Sequence, residues 1–168
     1  MSYQDPIWQV LKTGSPVNPG LPDPLASIVL AQTAHESGGY TSNVFRVDNN
    51  TNGYKFVGSR YQSGYGLKSP EGDYYGHYRT LQDNIYELVD WIYRRRNEGV
   101  FPDLRTITTP DQYALLLKKA GYFGDNVENY TAGLKRWLSQ NPAAVGIGGG
   151  LLTIGVFYLI YRSLKKAG

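Results

Sequence analysis

Ser27-Ile28-Val29-Leu30-Ala31-Gln32-Thr33-Ala34-His35-Glu36-Ser37-Gly38-Gly39 is an apolar, helix-patterned run that ends on an acid. Asp23 can cap it, Pro24 fits its first position, and Ser37-Gly38-Gly39 stops it. Leu25, Ile28, Val29, Leu30, Ala31 and Ala34 cover more than one face, which predicts a helix buried on most sides. A carboxylate at that end meets the negative pole of the helix dipole and apolar neighbours. Both disfavour its charged form and raise its pKa. A general acid working near neutral pH needs that shift. The competing reading of Glu36 is a solvated residue in a helix-ending turn.

Outward from this helix the chain reads as mostly helical. Asp5-Pro6 starts a short helix to about Lys12, and a stiff connector through Pro16, Pro19, Pro22 and Pro24 follows. Residues 41–79, rich in Gly, Asn, Ser and Tyr, read as loops and a short β-hairpin. Thr80 with Asp83 matches a capping box, and Ile85, Leu88, Val89 and Ile92 form one apolar stripe behind it. Thr109-Pro110 opens another helix that stops near Gly121. Asp125 with Glu128 opens one more, carrying Val127, Tyr130, Leu134, Trp137 and Leu138 at helical spacing.

Composition narrows the function classes. The chain has 168 residues, no Cys and 15 Tyr, so disulfides and thiolate metal sites are excluded. Seven aromatics fall between Tyr54 and Tyr78, where they suit strand packing or stacking on sugar faces. The net charge of +3 comes from Arg162, Lys165 and Lys166, which leaves the rest of the chain neutral and a nucleic-acid partner unsupported. Arg94-Arg95-Arg96 sits where basic residues complement a helix C-terminus. His35-Glu36 lacks the second His that a zinc protease needs four residues on, since position 39 is Gly. Neither a phosphate-binding Gly-rich loop nor a Gly-x-Ser-x-Gly elbow is present. No metal and no cofactor are called for.

Residues 143–161 carry no charge for 19 positions. At about 1.5 Å per residue this approaches a hydrocarbon core of about 30 Å. Asn141-Pro142 can start the helix, and Tyr158, Tyr161 and the basic tail suit the far interface. The expectation is a single transmembrane helix contacting lipid through residues 143–161, with the C-terminus inside and the rest outside. Gly146 and Gly150, four residues apart, suit self-association of the span. Residues 1–12 have no signal-peptide pattern. With the anchor, that suggests a virion membrane or a bacterial inner membrane, with virion proteins as partners.

Several short words resemble the glucosaminidase (glycoside hydrolase family 73) domain. Gly20-Leu21-Pro22-Asp23-Pro24, Leu30-Ala31-Gln32 and Glu36-Ser37-Gly38 are similar to its Gly-Val-Pro-Pro-Ser, Leu-Ala-Gln and Glu-Ser-Gly. Asn49-Asn50-Thr51-Asn52-Gly53-Tyr54-Lys55 resembles its Asn-Asn-Leu-Phe-Gly-Ile-Lys. Tyr75-Gly76-His77-Tyr78-Arg79-Thr80-Leu81 is similar to its Phe-Arg-x-Tyr-x-Ser-Leu. Ala120-Gly121-Tyr122-Phe123-Gly124-Asp125 resembles its Ala-Gly-Tyr-Ala-Thr-Asp, with Tyr130 where that family has a further Tyr. The words occur in the family's order over residues 20–138. His35, Gly39-Tyr40 and Gly76 depart from the pattern, which bears on the cleft more than on the fold.

The resemblance implies a lysozyme-like fold that cleaves β-1,4 bonds of peptidoglycan, with Glu36 as acid. Glycosidic cleavage usually takes a second group. Glu71, in Ser69-Pro70-Glu71-Gly72-Asp73, lies at a separation similar to the family's second Glu and is the candidate base or charge stabiliser, with Asp73 next. A surface turn carboxylate is the alternative, and the substrate's acetamido group can take part of that role. Tyr122 matches a family Tyr near the acid and can position the acetamido group or a water. Asn49, Asn50 and Gly53 match the cleft-side loop, and Tyr54, Tyr75 and Tyr78 complete the candidate glycan contacts.

The expected fold class is therefore mainly α with a small β-hairpin lobe (α+β, lysozyme-like), plus one C-terminal transmembrane helix. Residues 1–19 form an N-terminal helix and connector, 20–140 the enzyme domain, 141–162 the span and 163–168 a basic tail. The expected activity is an endo-β-N-acetylglucosaminidase used in wall penetration by a membrane-containing bacteriophage, with muramidase or lytic transglycosylase chemistry as variants. A catalytically inactive wall-binding or virion spike protein and a membrane-disrupting lysis protein are the competing functions.

Overall fold

The computed structural model describes residues 3–140. Its elements are α1 (Gln4–Thr13), α2 (Asp23–Glu36), α3 (Asn43–Asp48), β1 (Gln62–Lys68), β2 (Tyr74–Tyr78), α4 (Leu81–Asn97), a 3₁₀ turn (Leu104–Thr106), α5 (Pro110–Lys119) and α6 (Val127–Gln140). Helix α2 is the axis of the molecule. Every residue from Leu25 to Ala34 is buried, as its all-round apolar pattern demands. It packs against α1 on one side and α6 on another, while α4 closes over α1. Ile7, Leu11, Leu25, Val29, Ile85, Leu88, Ile92, Leu117 and Leu134 fill the space between these helices.

Local signals set most element boundaries. Thr80–Asp83 and Thr109–Gln112 form reciprocal capping boxes at α4 and α5. Helix α2 starts one residue earlier than expected: Pro22 is its N-cap and Asp23, ion-paired to Lys12, its first residue. At α6 the cap is Asn126, whose Oδ1 accepts the Asn129 N–H at 3.1 Å. Asp125, the expected cap, spends its carboxylate on the N–H of Asn126 at 2.7 Å. Helix α3 was not anticipated. It is only six residues long, is capped by Ser42, and lies in a stretch otherwise composed like a loop.

The hairpin is antiparallel, with Gln62 opposite Tyr78, Tyr65 opposite Gly76 and Lys68 opposite Tyr74, and irregular register between them. Two sets of contacts fasten it to the rest of the domain. Asp48, buried at the end of α3, accepts the Leu67 N–H at 2.9 Å and faces His77 Nδ1 at 3.1 Å. Gly66 permits this approach, because a Cβ there would lie 2.5 Å from the Asp48 carboxylate. On the other edge, residues 54–56 run beside β2 through Phe56 N–H to Tyr74 C=O and Gly76 N–H to Tyr54 C=O, both 2.8 Å.

The expected fold class is corrected in one respect. The helical body with a two-stranded hairpin is present, but no helix among the described residues is long and apolar enough to cross a membrane. Apart from the central α2, the helices are amphipathic, with one face on the core and one in solvent. The expected span at 141–162, its lipid-facing stretch 143–161 and the basic tail lie outside the described residues. The fold is thus mainly helical with a small two-stranded sheet.

Candidate active site

Glu36 is the last residue of α2, and the turn behind it is tightly fixed. Ser37 Oγ donates to Thr33 C=O at 2.6 Å, and the Gly39 N–H donates to Ala34 C=O at 2.7 Å. The Glu36 side chain is partly buried, and the Tyr130 hydroxyl donates to its Oε1 at 2.5 Å. Tyr130 is itself immobilised, stacked on Phe123 (4.0 Å between centroids, 4° between planes) and met edge-on by His35 at 5.1 Å. His35, one of the departures from the family pattern, fits because position 133 is glycine. A Cβ there would lie 2.4 Å from the imidazole.

Burial raises the Glu36 pKa above the ordinary carboxylate range, and the Tyr130 hydrogen bond opposes it without reversing it. Burial likewise holds the phenols of Tyr54, Tyr113, Tyr122 and Tyr130 above their usual value, and the nearby Glu36 charge adds to each. Four phenols therefore feel the charge of one carboxyl, and Tyr130 bonds to it directly. With Oε1 occupied by Tyr130, a proton on the acid is left to Oε2, which can give it to a bound oxygen.

Tyr54 and Tyr122 are packed together. Their rings meet edge-on at 6.4 Å, and Tyr122 packs against Trp91 at 5.3 Å. Both hydroxyls are buried without a hydrogen-bond partner among the described residues. The Tyr113 hydroxyl donates to Gln32 Oε1 at 2.7 Å, while Gln32 Nε2 is likewise buried and without a partner among the described residues. Such orphaned groups cost about 1–3 kcal/mol each unless a ligand or water meets them.

The other sequence-predicted site residues divide into supports and surface groups. Asn50 is a clamp: its Nδ2 donates to Tyr54 C=O at 2.8 Å and Gly76 C=O at 3.0 Å, and its Oδ1 accepts the Tyr54 N–H at 3.0 Å. Asn49 ends α3 in the left-handed region and donates to Tyr78 C=O at 2.9 Å. Gly53 has a φ of 63° and lies against Tyr75, whose ring sits under Lys55. Tyr78 is fully buried and gives its hydroxyl to Glu87 Oε2 at 2.6 Å. The polar side-chain atoms of Asn49, Asn50 and Tyr78 are thus engaged in holding the loop and hairpin together.

Glu71 stands in the exposed turn between β1 and β2, ion-paired to Lys55 at 2.9 Å. That pair, with help from Ser69 and its own backbone, holds its pKa down at about 2. Asp73 is exposed in the same turn. Among the described residues no three His, Cys, Asp or Glu side chains are grouped to hold a metal ion.

Tyr113, Gln32 and Trp91 are not anticipated around the acid, and Tyr130 is legible as a position on an apolar helix stripe and as a match to a family Tyr, without a role at the acid. A Tyr at a core position of such a stripe is the one available signal, because a buried phenol needs a partner for its hydroxyl.

No family model and no curated protein matches the sequence. Among solved structures, the chain is similar to a peptidoglycan hydrolase from Sphingomonas sp. A1, with a TM-score of 0.57 and 18% identity over 88% of this chain and 92% of that one. It is also similar to the glycoside hydrolase domain of FlgJ from Salmonella typhimurium, with a TM-score of 0.53 and 18% identity over 97% and 91%. A C-terminally truncated form of the same domain gives 0.51 and 21% over 84% and 93%. At these identities the shared property is the fold, and it is the fold of peptidoglycan and glycoside hydrolase domains.

Proposed function

We propose that this protein is a peptidoglycan hydrolase that cleaves β-1,4 glycosidic bonds between N-acetylglucosamine and N-acetylmuramic acid, with Glu36 as general acid. One observation carries the reading: a partly buried carboxyl, hydrogen-bonded by Tyr130 and kept protonated to higher pH by burial. The likeness of the fold to peptidoglycan and glycoside hydrolase domains supports it. Glu36 protonates the leaving oxygen as the bond breaks and an oxocarbenium-like centre develops. Glu71, anionic above about pH 2, faces that charge from the hairpin turn or activates the attacking water. Tyr122 and Tyr54 supply hydroxyls for the acetamido group or the water. The resemblance of the sequence words favours attack beside N-acetylglucosamine.

The full chain is incubated with purified peptidoglycan beside Glu36→Gln, and released muropeptides are read by mass spectrometry. Reducing-end N-acetylglucosamine that vanishes in the variant fits the proposal. Reducing muramic acid or an anhydro product keeps the acid and changes the reaction class. Binding without release, with the fold intact, overturns the enzymatic reading.

A further inference from the structure

One ring contact away from Tyr122 lies a cavity of about 430 Å³ between the solvent side of α4 and residues 59–61. Trp91 is the link, since it lines the cavity and packs on Tyr122. The carboxylates around the cavity are already engaged. Asp90 accepts from Ser15 Oγ, from Asn18 Nδ2 at 2.8 Å and from Tyr61 Oη at 2.7 Å. Glu87 takes the Tyr78 hydroxyl, and Glu98 pairs with Arg95 at 2.7 Å. Burial also raises the Glu87 pKa, which thins the negative charge there.

The cations are in the opposite condition. Arg60 and Arg94 both line the cavity and are exposed, and neither guanidinium has an ion-pair partner among the described residues. Anions already engaged within the protein and two exposed guanidinium forks outside any ion pair, Arg60 lying 5.8 Å from the Tyr61 ring centroid, suit a ligand that brings its own carboxylates. The partly buried Trp91 and Tyr61 rings offer apolar surface beside them.

We propose that this groove binds the peptide-substituted muramyl unit of the glycan, with Arg60 and Arg94 pairing with carboxylates of its peptide stem and Trp91 and Tyr61 lying against the sugar. This rests on the function proposed above and adds a preference for peptide-bearing over bare strands. Through Trp91 such a unit adjoins Tyr122, one of the phenols that the Glu36 charge reaches.

The full-length wild type is compared on peptide-bearing strands and on strands stripped of peptide by an amidase. About a tenfold higher kcat/KM on peptide-bearing strands is expected, falling to a ratio near one in R60Q/R94Q and largely kept in R60K/R94K. A wild-type ratio near one, or a ratio retained in R60Q/R94Q, overturns the proposal. Calorimetric titration of a disaccharide tetrapeptide into Glu36→Gln reads the groove without turnover. Binding that weakens about tenfold with R60Q/R94Q added supports the site, and unchanged or absent binding refutes it. If the wild type cuts neither substrate, the hydrolase reading falls and the titration still decides the groove.

Discussion

Glu36 and Glu71 are the same side chain in opposite surroundings. Glu36 ends a buried helix, shares its carboxyl with a neutral phenol and has its pKa raised by burial. Glu71 stands on an exposed turn, touches an ammonium and is held at about 2. Their titrations are pushed apart from both directions, the separation that the proposed acid and base roles need. The buried site is set by packing, which salt and solvent hardly disturb. The exposed one is set by a single ion pair, which they disturb readily. The pair teaches that a protonated acid needs a core behind it, whereas an anion needs only a nearby cation.

The strongest way to break this contrast is Glu36→Gln. Muropeptide release is expected to fall by about 10²–10⁴-fold, the usual worth of a general acid. The same change should stabilise the fold. The folded-state pKa of Glu36 lies above its unfolded value, so its contribution is fully present below the unfolded pKa and is lost as pH rises through the folded one. Thermal melts should therefore show Glu36→Gln gaining on the wild type at neutral pH, by about 0.5–2 kcal/mol, and losing that advantage below about pH 4. A variant no more stable at pH 7 than at pH 4 would remove the buried, strained acid from the account.

Glu71→Gln tests the other half and is expected to cost about tenfold to 10²-fold in kcat, with melting little changed because the turn is exposed. Lys55→Gln sharpens it. Without the ammonium the depressed pKa of Glu71 rises towards an ordinary carboxylate, so the acid limb of the pH–rate profile should move up from about 2. An unmoved acid limb excludes Glu71 as the group that must be ionised.

Tyr130→Phe separates the two forces on Glu36. The hydroxyl lowers the acid's pKa, so its loss should shift the basic limb to higher pH while slowing the reaction by about threefold to tenfold. A basic limb that moves to lower pH contradicts the assigned hydrogen bond. The smallest effect on chemistry is expected from Asn50→Ala. It unclamps Tyr54 and the hairpin edge and should destabilise by about 1–3 kcal/mol in denaturant titration, with activity recovering on cooling.

Much of the framework was legible because the signals are local. The all-round apolar run of α2, the capping box at Thr80, the Thr109-Pro110 start of α5 and the hairpin each announce themselves within a few residues. Helix α3 escaped because six residues give too short a period to read. The transmembrane part of the expected fold class rests on residues 141–162, which lie outside the described residues, and no described helix is long and apolar enough to cross a membrane. Around the acid, the resemblance points to Tyr122 and Tyr54, and the Glu36 charge raises the pKa of both. It also points to Asn49, Asn50 and Tyr78, whose polar side-chain atoms hold other backbone and side-chain groups. A motif word marks which residues a loop needs and does not say which of them face the cleft.

By itself the sequence determined that a carboxyl ends a helix with no solvent face, because periodicity and helix-stop residues act within a few turns. Only the tertiary structure decided what that carboxyl meets. Tyr130 arrives from 94 residues away and Tyr113 sits on α5, while Tyr54 is delivered by a clamp between a loop and β2. Such partners share no local pattern with the acid. They are brought to it by the packing of α6 and the hairpin, and through burial that packing sets the proton affinity on which the chemistry depends.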